Sequence, residues 1–271
     1  SLDVTQNTAL TYLNCENNQL TSLVLANNIP LKYIDCSNNN LTTLDLSYNS
    51  VLSYIKCRNN ELNTLNVDFA LALDSLFCNN NRLTSLDVSQ NTALTHLWCY
   101  QNQLTSLDVS QNTALTHLLC YQNQLTALDV SQNPFLVRLD TEENQLNCLN
   151  LKNGNNAILN ELWTFDNSSL ECILADDSTY SNTNWINNPD FHLDSNQYFS
   201  ENCNYPLGCF NINPNSVQEI PQSISLYPNP TKENITISIE NFNGNIQTEI
   251  YDLLGNRLQI SNETTISLQD Y

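Results

Sequence analysis

A 21-residue repeat runs without insertion through the first seven copies of this sequence and limits what the chain can become. Leu20, Leu41, Leu62, Leu83, Leu104, Leu125 and Leu146 form one column, and Leu10 to Leu136 form a second at the same step. A third reads Leu13, Ile34, Ile55, Leu76, Leu97, Leu118 and Leu139. Six of the ten cysteines make a fourth, Cys15, Cys36, Cys57, Cys78, Cys99 and Cys120, with Thr141 in the seventh place. Asn18, Asn39, Asn60, Asn81, Asn102, Asn123 and Asn144 make a fifth. A strict period of this length is the signature of coils stacked on their neighbours, each sending the same side chain inward at the same step.

The columns also give the conformation of a coil. In Leu94-Thr-His-Leu97-Trp-Cys99 the apolar residues at 97 and 99 alternate as on a strand with one buried face. About ten residues later Leu104-Thr-Ser-Leu107-Asp-Val109-Ser-Gln-Asn112 repeats the pattern, so each coil is expected to have two extended sides and no helix. Stacked at the inter-strand spacing, seven coils extend roughly 34 Å. The Asn column falls where the chain leaves the strand, and its amide bonds both N–H and C=O groups of a turn that is otherwise buried unpaired. The expectation is a flattened, all-β solenoid over residues 1–151.

These residues resemble the leucine-rich repeat superfamily, whose hallmark Leu-x-x-Leu-x-Leu-x-x-Asn-x-Leu fits Leu94 to Leu104 with Cys99 in place of the third Leu. The doubled 21-residue form, with a Cys half and an Asp half, is similar to the nested bacterial subclass called IRREKO. The resemblance implies a binding surface more often than a catalyst.

After Leu151 the period fails, and a solenoid end must be covered. Residues 152–205 are expected to form an irregular C-terminal cap, with Trp163, Trp185, Phe191 and Tyr198 as covering side chains. The stretch Leu170-Glu-Cys172-Ile with Asp176-Asp177 resembles the closing segment of secreted bacterial repeat proteins. Cys148, Cys172, Cys203 and Cys209 lie outside the ladder and allow three pairings. Cys172–Cys203 is the preferred one, because it ties the cap back on itself. The ladder cysteines, 21 apart in a line, cannot converge on zinc and are expected to be buried thiols.

A Pro- and Asn-rich linker, 206–221, precedes a change of character. Ile224 to Tyr227, Ile235 to Ile239, Thr248 to Tyr251 and Arg257 to Ile260 alternate as strands, with turns at Asn243-Gly244 and Gly255-Asn256. Tyr227-Pro-Asn-Pro230, Asn234-Ile-Thr-Ile and Tyr251-Asp-Leu-Leu-Gly255-Asn-Arg257 resemble, in their order, the type A C-terminal sorting domain of the type IX secretion system. That resemblance implies a small Ig-like β-sandwich over 222–271 and a secreted or cell-surface protein that meets the type IX machinery. The family continues through a Gly-x-Tyr strand and a basic terminus, so this copy is expected to be incomplete at Tyr271. The N-terminus is likewise expected to be truncated, since Ser1 falls inside a repeat.

Charge narrows the partners. Eight Lys and Arg against 28 Asp and Glu leave a net charge of −20, with no basic cluster for phosphates, so nucleic acid is not an expected partner. The longest apolar runs are too short for a membrane span. Gly is too rare for a phosphate loop, and His96 and His117 are equivalent positions of adjacent coils, not members of a triad. No catalytic residue, metal site or cofactor is expected. Asp3, Asp45, Asp87, Asp108 and Asp129 share a column without a second acidic column beside it and read as a solvated stripe.

The outward residues of the Cys-side strand carry more information, because they vary while the core does not. Tyr12, Tyr33 and Tyr54 give way to Ser75, His96, His117 and Arg138, and neighbouring columns supply aromatics in the middle coils. Phe77, His96, Trp98, Tyr100, His117, Leu119 and Tyr121 are therefore the candidate ligand-binding residues. The expected function is a non-enzymatic binding or adhesion module for an extracellular protein or glycan. The alternative is the recognition region of a larger extracellular hydrolase whose catalytic domain lies upstream of Ser1.

Overall fold

The computed structural model describes residues 1–186, 188–205 and 209, together with strands 224–227, 234–239, 248–251, 257–261 and 265–267. The chain forms two compact units, Ser1–Asn211 and Ile212–Tyr271.

The first unit is built on a nine-stranded parallel sheet with one short strand per coil. Tyr12–Asn14, Tyr33–Asp35, Tyr54–Lys56, Ser75–Phe77, His96–Trp98, His117–Leu119 and Arg138–Asp140 follow one another in spatial order. The register is the sequence repeat itself: Leu76 lies opposite Leu97, and Leu97 opposite Leu118. These middle residues of each strand point inward, where Leu31, Ile34, Leu41, Leu52, Ile55 and their equivalents are fully buried in one continuous core. The ladder continues past the strands, as in Cys99 N–H to Leu119 O at 2.9 Å.

The Asn column closes the turn that follows. Asn102 accepts from Leu83 N–H at 3.0 Å, and its amide nitrogen lies 3.1 Å from Cys78 O and 3.0 Å from Cys99 O. One buried side chain thus ties the outgoing turn of its own coil to the coil before it. Just ahead of each of these residues, the backbone is left-handed at Asn17, Asn38, Asn59, Asn80, Gln101, Gln122 and Glu143, with φ between 48° and 56°. Asn tolerates that conformation best among the residues with a Cβ, and it fills the first four places. Their exposed side chains form a second ladder, as where Asn80 donates to Asn59 at 2.6 Å.

The opposite side of the coils carries another Asn series. Asn112 donates to Val88 O and Asn91 O, both at 2.9 Å, and Asn133 repeats the pattern one coil later. This side is extended as expected, but among the described residues it is a laddered sheet only near its ends. Leu2–Asp3 pairs with Leu23–Val24 at one end, and Ala127–Asp129, Cys148–Asn150, Cys172–Leu174 and Tyr198–Ser200 form four strands at the other. In the middle coils, contacts such as Gln103 N–H to Leu83 O at 2.8 Å hold the start of this side.

Residues 152–205 extend both sheets. Glu161–Trp163 and Phe191–His192 add to the nine-stranded sheet, at steps of 23 (Arg138 to Glu161) and 29 (Leu162 to Phe191) in place of 21. The longer coils accommodate a seven-residue helix, Ser178–Asn184, whose N-cap Asp177 accepts from Tyr180 N–H at 2.9 Å. Trp185, just after the helix, stacks on Phe191 and meets Phe199 edge-on, both at 5.1 Å, and so seals the core. Of the four side chains expected to cover it, Trp185 and Phe191 are buried. Tyr198 is 50% exposed, because strand alternation turns Phe199 inward in its place. Trp163 faces outward for the same reason, with Leu162 taking the core position.

Two disulfides close this end, Cys172–Cys203 and Cys148–Cys209. The six ladder cysteines are buried and unpaired by disulfide. Desolvation pushes their thiols up, to about 11 for Cys15 and about 12 for Cys78, so they behave as small apolar groups.

In the second unit, Asn234–Ile239 pairs antiparallel with Ile224–Tyr227 and Thr265–Ser267, and Thr248–Tyr251 with Arg257–Ser261. The expected strands are present, with Thr265–Ser267 in addition. The linker apart from Cys209, the turns at Asn243-Gly244 and Gly255-Asn256, and the packing expected of a sandwich lie outside the described residues.

The ladder predicts a chemical outcome in an exported protein. Alkylation of denatured, unreduced chain should label Cys15, Cys36, Cys57, Cys78, Cys99 and Cys120 and leave the other four cysteines protected, as read by peptide mass spectrometry. Ladder cysteines recovered as disulfide-linked pairs would contradict the packing described.

Candidate functional site

The outward face of the nine-stranded sheet is where the coils differ. Because every coil keeps its inward residues, side chains at equivalent outward positions stack at strand spacing into columns. His96 and His117 lie with ring centroids 4.5 Å apart and nearly parallel, each with Nδ1 beside the neighbouring Thr hydroxyl, at 2.8 and 2.9 Å. Burial first, and then His96, lower the pKa of His117. Tyr100 and Tyr121 stack at 4.2 Å, and Trp98 stands 6.4 Å from Tyr100.

The structure brings all seven candidate residues onto this face, but not as equals. His96, Trp98, Tyr100, His117 and Tyr121 are half-buried. Phe77 and Leu119 are only 7% and 6% exposed. Phe77 sinks between larger side chains: Trp98 meets it edge-on at 4.6 Å, and Tyr54 tilts against it at 5.3 Å. Both residues therefore form a floor beneath the rings and add little accessible surface.

The aromatic run also extends further than the candidate set. Tyr12 stacks on Tyr33 at 4.3 Å and Tyr33 on Tyr54 at 4.9 Å, so rings continue from the first coil to Tyr121. At the far end Trp163 stacks on His192 at 4.7 Å, and the Arg138 guanidinium lies over Trp163 at 5.1 Å. The Tyr column was visible in the repeat. Trp163 and His192 were not, because their coils are longer than 21 residues and fall out of the alignment.

Carboxylates collect beside that second group. Asp140 is 2% exposed, and its pKa is raised to about 6, chiefly by desolvation. Glu142 is raised to about 7 by desolvation and by Asp140, with its Oε1 3.9 Å from His192 Nδ1. Arg138 is engaged by Glu161 at 3.1 Å.

On the opposite side the acidic column has a local task. Asp3, Asp45, Asp87, Asp108 and Asp129 each accept the backbone N–H two residues on, at 2.9–3.0 Å. Asn66 and Asn150, which stand in the same column, make the same bond. The column is thus an Asx-turn device that starts each return, more than a free stripe of charge.

Comparison with solved structures follows this geometry. A leucine-rich repeat protein of Leptospira interrogans matches with a TM-score of 0.58 at 22% identity, over 70% of this chain and 56% of that one. An internalin of Listeria monocytogenes, InlF, matches with a TM-score of 0.52 at 20% identity, over 74% and 56%. The solenoid has the leucine-rich repeat fold. The functional domain of InlJ from Listeria monocytogenes, described as including a cysteine ladder, is 29% identical over 65% of this chain and 51% of that one, with a TM-score of 0.41. This chain thus spans 51% to 56% of the length of these three structures. No curated protein matches. Residues 225–271 match the secretion system C-terminal sorting domain, which indicates export by type IX secretion to the cell surface or outside. Among the described residues no helix is long and apolar enough to cross a membrane.

The buried acids of this leucine-rich repeat solenoid give it a pH signature. Asp140 and Glu142 hold protons more tightly folded than unfolded, so the folded state binds more protons between about pH 4 and pH 7. Stability from this pair is present at low pH and is lost as pH rises through 6 to 7. The urea midpoint should therefore fall between pH 5 and pH 7.5, and Asp140→Asn with Glu142→Gln should flatten the change. An unchanged slope in the double variant would place the pH dependence elsewhere.

Proposed function

We propose that the outward face of the nine-stranded sheet is the recognition surface of an exported, non-catalytic repeat protein that binds an extracellular protein or glycan. The observation that carries this reading is the series of half-buried rings, His96, Trp98, Tyr100, His117 and Tyr121, held on a face whose core does not change from coil to coil. Aromatic surface left partly open to water is uncommon unless something covers it, and pre-stacked rings lose little freedom when a ligand arrives. The opposite side repeats Thr-Ser-Leu-Asp-Val-Ser nearly unchanged, and its carboxylates are occupied with turns.

Trp98 is the anchor of this surface, since an indole offers the largest stacking area for two frozen torsions. Truncating an anchor weakens binding by about 2 kcal/mol or more, roughly thirtyfold, whereas peripheral positions change it little. On an array of extracellular glycans and proteins, Trp98→Ala and Tyr121→Ala should each lose signal that wild type gives. Asp108→Asn keeps the turn acceptor and should not. Equal retention of all three would refute the site, and loss only with Asp108→Asn would move it to the opposite side.

A further inference from the structure

A cleft of about 220 Å³ opens on the aromatic face toward its N-terminal half, lined by Tyr54, Lys56, Arg58, Phe77 and Trp98. Among these, only Trp98 belongs to the half-buried ring series of the recognition surface. Phe77 and Trp98 meet at 90°, so they form a corner with two apolar walls at right angles. Lys56 Nζ lies 5.3 Å from the centre of Tyr54 and 5.7 Å from that of Phe77, a cation held against aromatic faces.

Two features mark this cleft. The first is charge. In a protein of net charge −20, Arg82 and Arg138 pair with Glu61 and Glu161, while Lys56 and Arg58 take part in no ion pair among the described residues. Asp35, the register partner of Lys56, is 2% exposed and accepts from Ser37 N–H at 3.0 Å. The second is unmet hydrogen bonding. Trp98 Nε1 and Arg58 Nε are buried donors without an acceptor, and Asn79 Oδ1, one coil on from Arg58 in its column, is a buried acceptor without a donor. Buried polar groups left so are costly, and Trp98 and Arg58 both line the cleft.

We infer that this cleft takes a single carboxylate-bearing sugar ring of an acidic glycan. The reading rests on the recognition surface proposed above and names its ligand chemistry. A pyranose offers a flat C–H face for the Trp98–Phe77 corner, and its carboxylate supplies the counter-charge for Lys56 and Arg58. Its ring and hydroxyl oxygens are acceptors for the ammonium and guanidinium donors of Lys56 and Arg58. The volume is below that of a site for a larger ligand, which suits one ring and not a stretch of chain. An acidic peptide side chain brings the charge but no flat face for the corner. The −20 field does not forbid an anion, because salt at physiological strength screens charges beyond about 8 Å and leaves the cleft to its near neighbours.

The test uses the whole chain, titrated by ligand-observed NMR with methyl glucuronide, methyl sialoside, the neutral methyl glucoside and a tetraglutamate peptide. At least one acidic sugar should bind about tenfold or more tightly than the glucoside, and the tighter of the two identifies the sugar type. Lys56→Met and Arg58→Gln should each weaken that binding about tenfold. Asp108→Asn, on the opposite side of the coils, should leave it unchanged. Circular dichroism confirms that each variant is folded. Equal binding of glucoside and glucuronide, a preference for the peptide, or no binding of either acidic sugar would overturn the inference. If Trp98→Ala abolishes array binding while Lys56→Met and Arg58→Gln do not, the recognition face stands and the acidic-sugar assignment falls.

Discussion

A buried side-chain amide repeated once per coil holds this molecule in register. Each stacked coil must turn sharply at the end of a strand, and the turn leaves backbone N–H and C=O groups facing the core. Asn102 meets that demand on both sides at once, accepting from Leu83 N–H while its amide nitrogen reaches carbonyls of Cys78 and Cys99. Asn39, Asn60, Asn81, Asn123 and Asn144 repeat the arrangement. A hydroxyl is too short to span both coils, and an aliphatic side chain leaves the groups buried and unpaired. The constraint then propagates. Fixed turns fix the strand register, and fixed register stacks Leu on Leu and Cys on Cys into a single core.

That separation of tasks explains why the outward face is free to vary. Side chains on it contribute little to closing the coil, so Tyr, His, Lys, Phe, Trp or Asp can occupy equivalent positions. The ladder nevertheless imposes geometry on whatever is placed there. Two Tyr or two His one repeat apart are delivered at stacking distance by the backbone, without further design. Mixing residue types has consequences as well: a smaller residue between larger ones sinks, as Phe77 does beside Trp98, and a carboxylate set between apolar register partners is desolvated, as Asp140 is between Leu119 and Trp163.

The repeat made the solenoid, its core columns and its turn asparagines legible from the chain alone, because each depends on identity at a fixed spacing. What it concealed depended on neighbours in space. Phe77 shares the outward column of Trp98, but its low exposure is set by the sizes of Tyr54 and Trp98 in adjacent coils. The end of the solenoid was harder to read. Once coils lengthened past 21 residues, Trp163 and His192 left the alignment although their strands stayed in the sheet. The Asp column was legible as a column but not as a turn device, since a carboxylate two residues ahead of a Ser N–H looks like any exposed acid until the backbone geometry is known.

The dependence of the fold on the buried amide is tested most directly by equilibrium urea unfolding of Asn102→Ala beside its exposed, left-handed neighbour Gln101→Ala. Removing Asn102 leaves several buried backbone groups without partners at about 1–3 kcal/mol each. The account predicts a loss of about 3 kcal/mol or more for Asn102→Ala and less than about 1 kcal/mol for Gln101→Ala. Comparable, small losses in the two variants would contradict it and shift the burden of holding the coils together to the apolar columns.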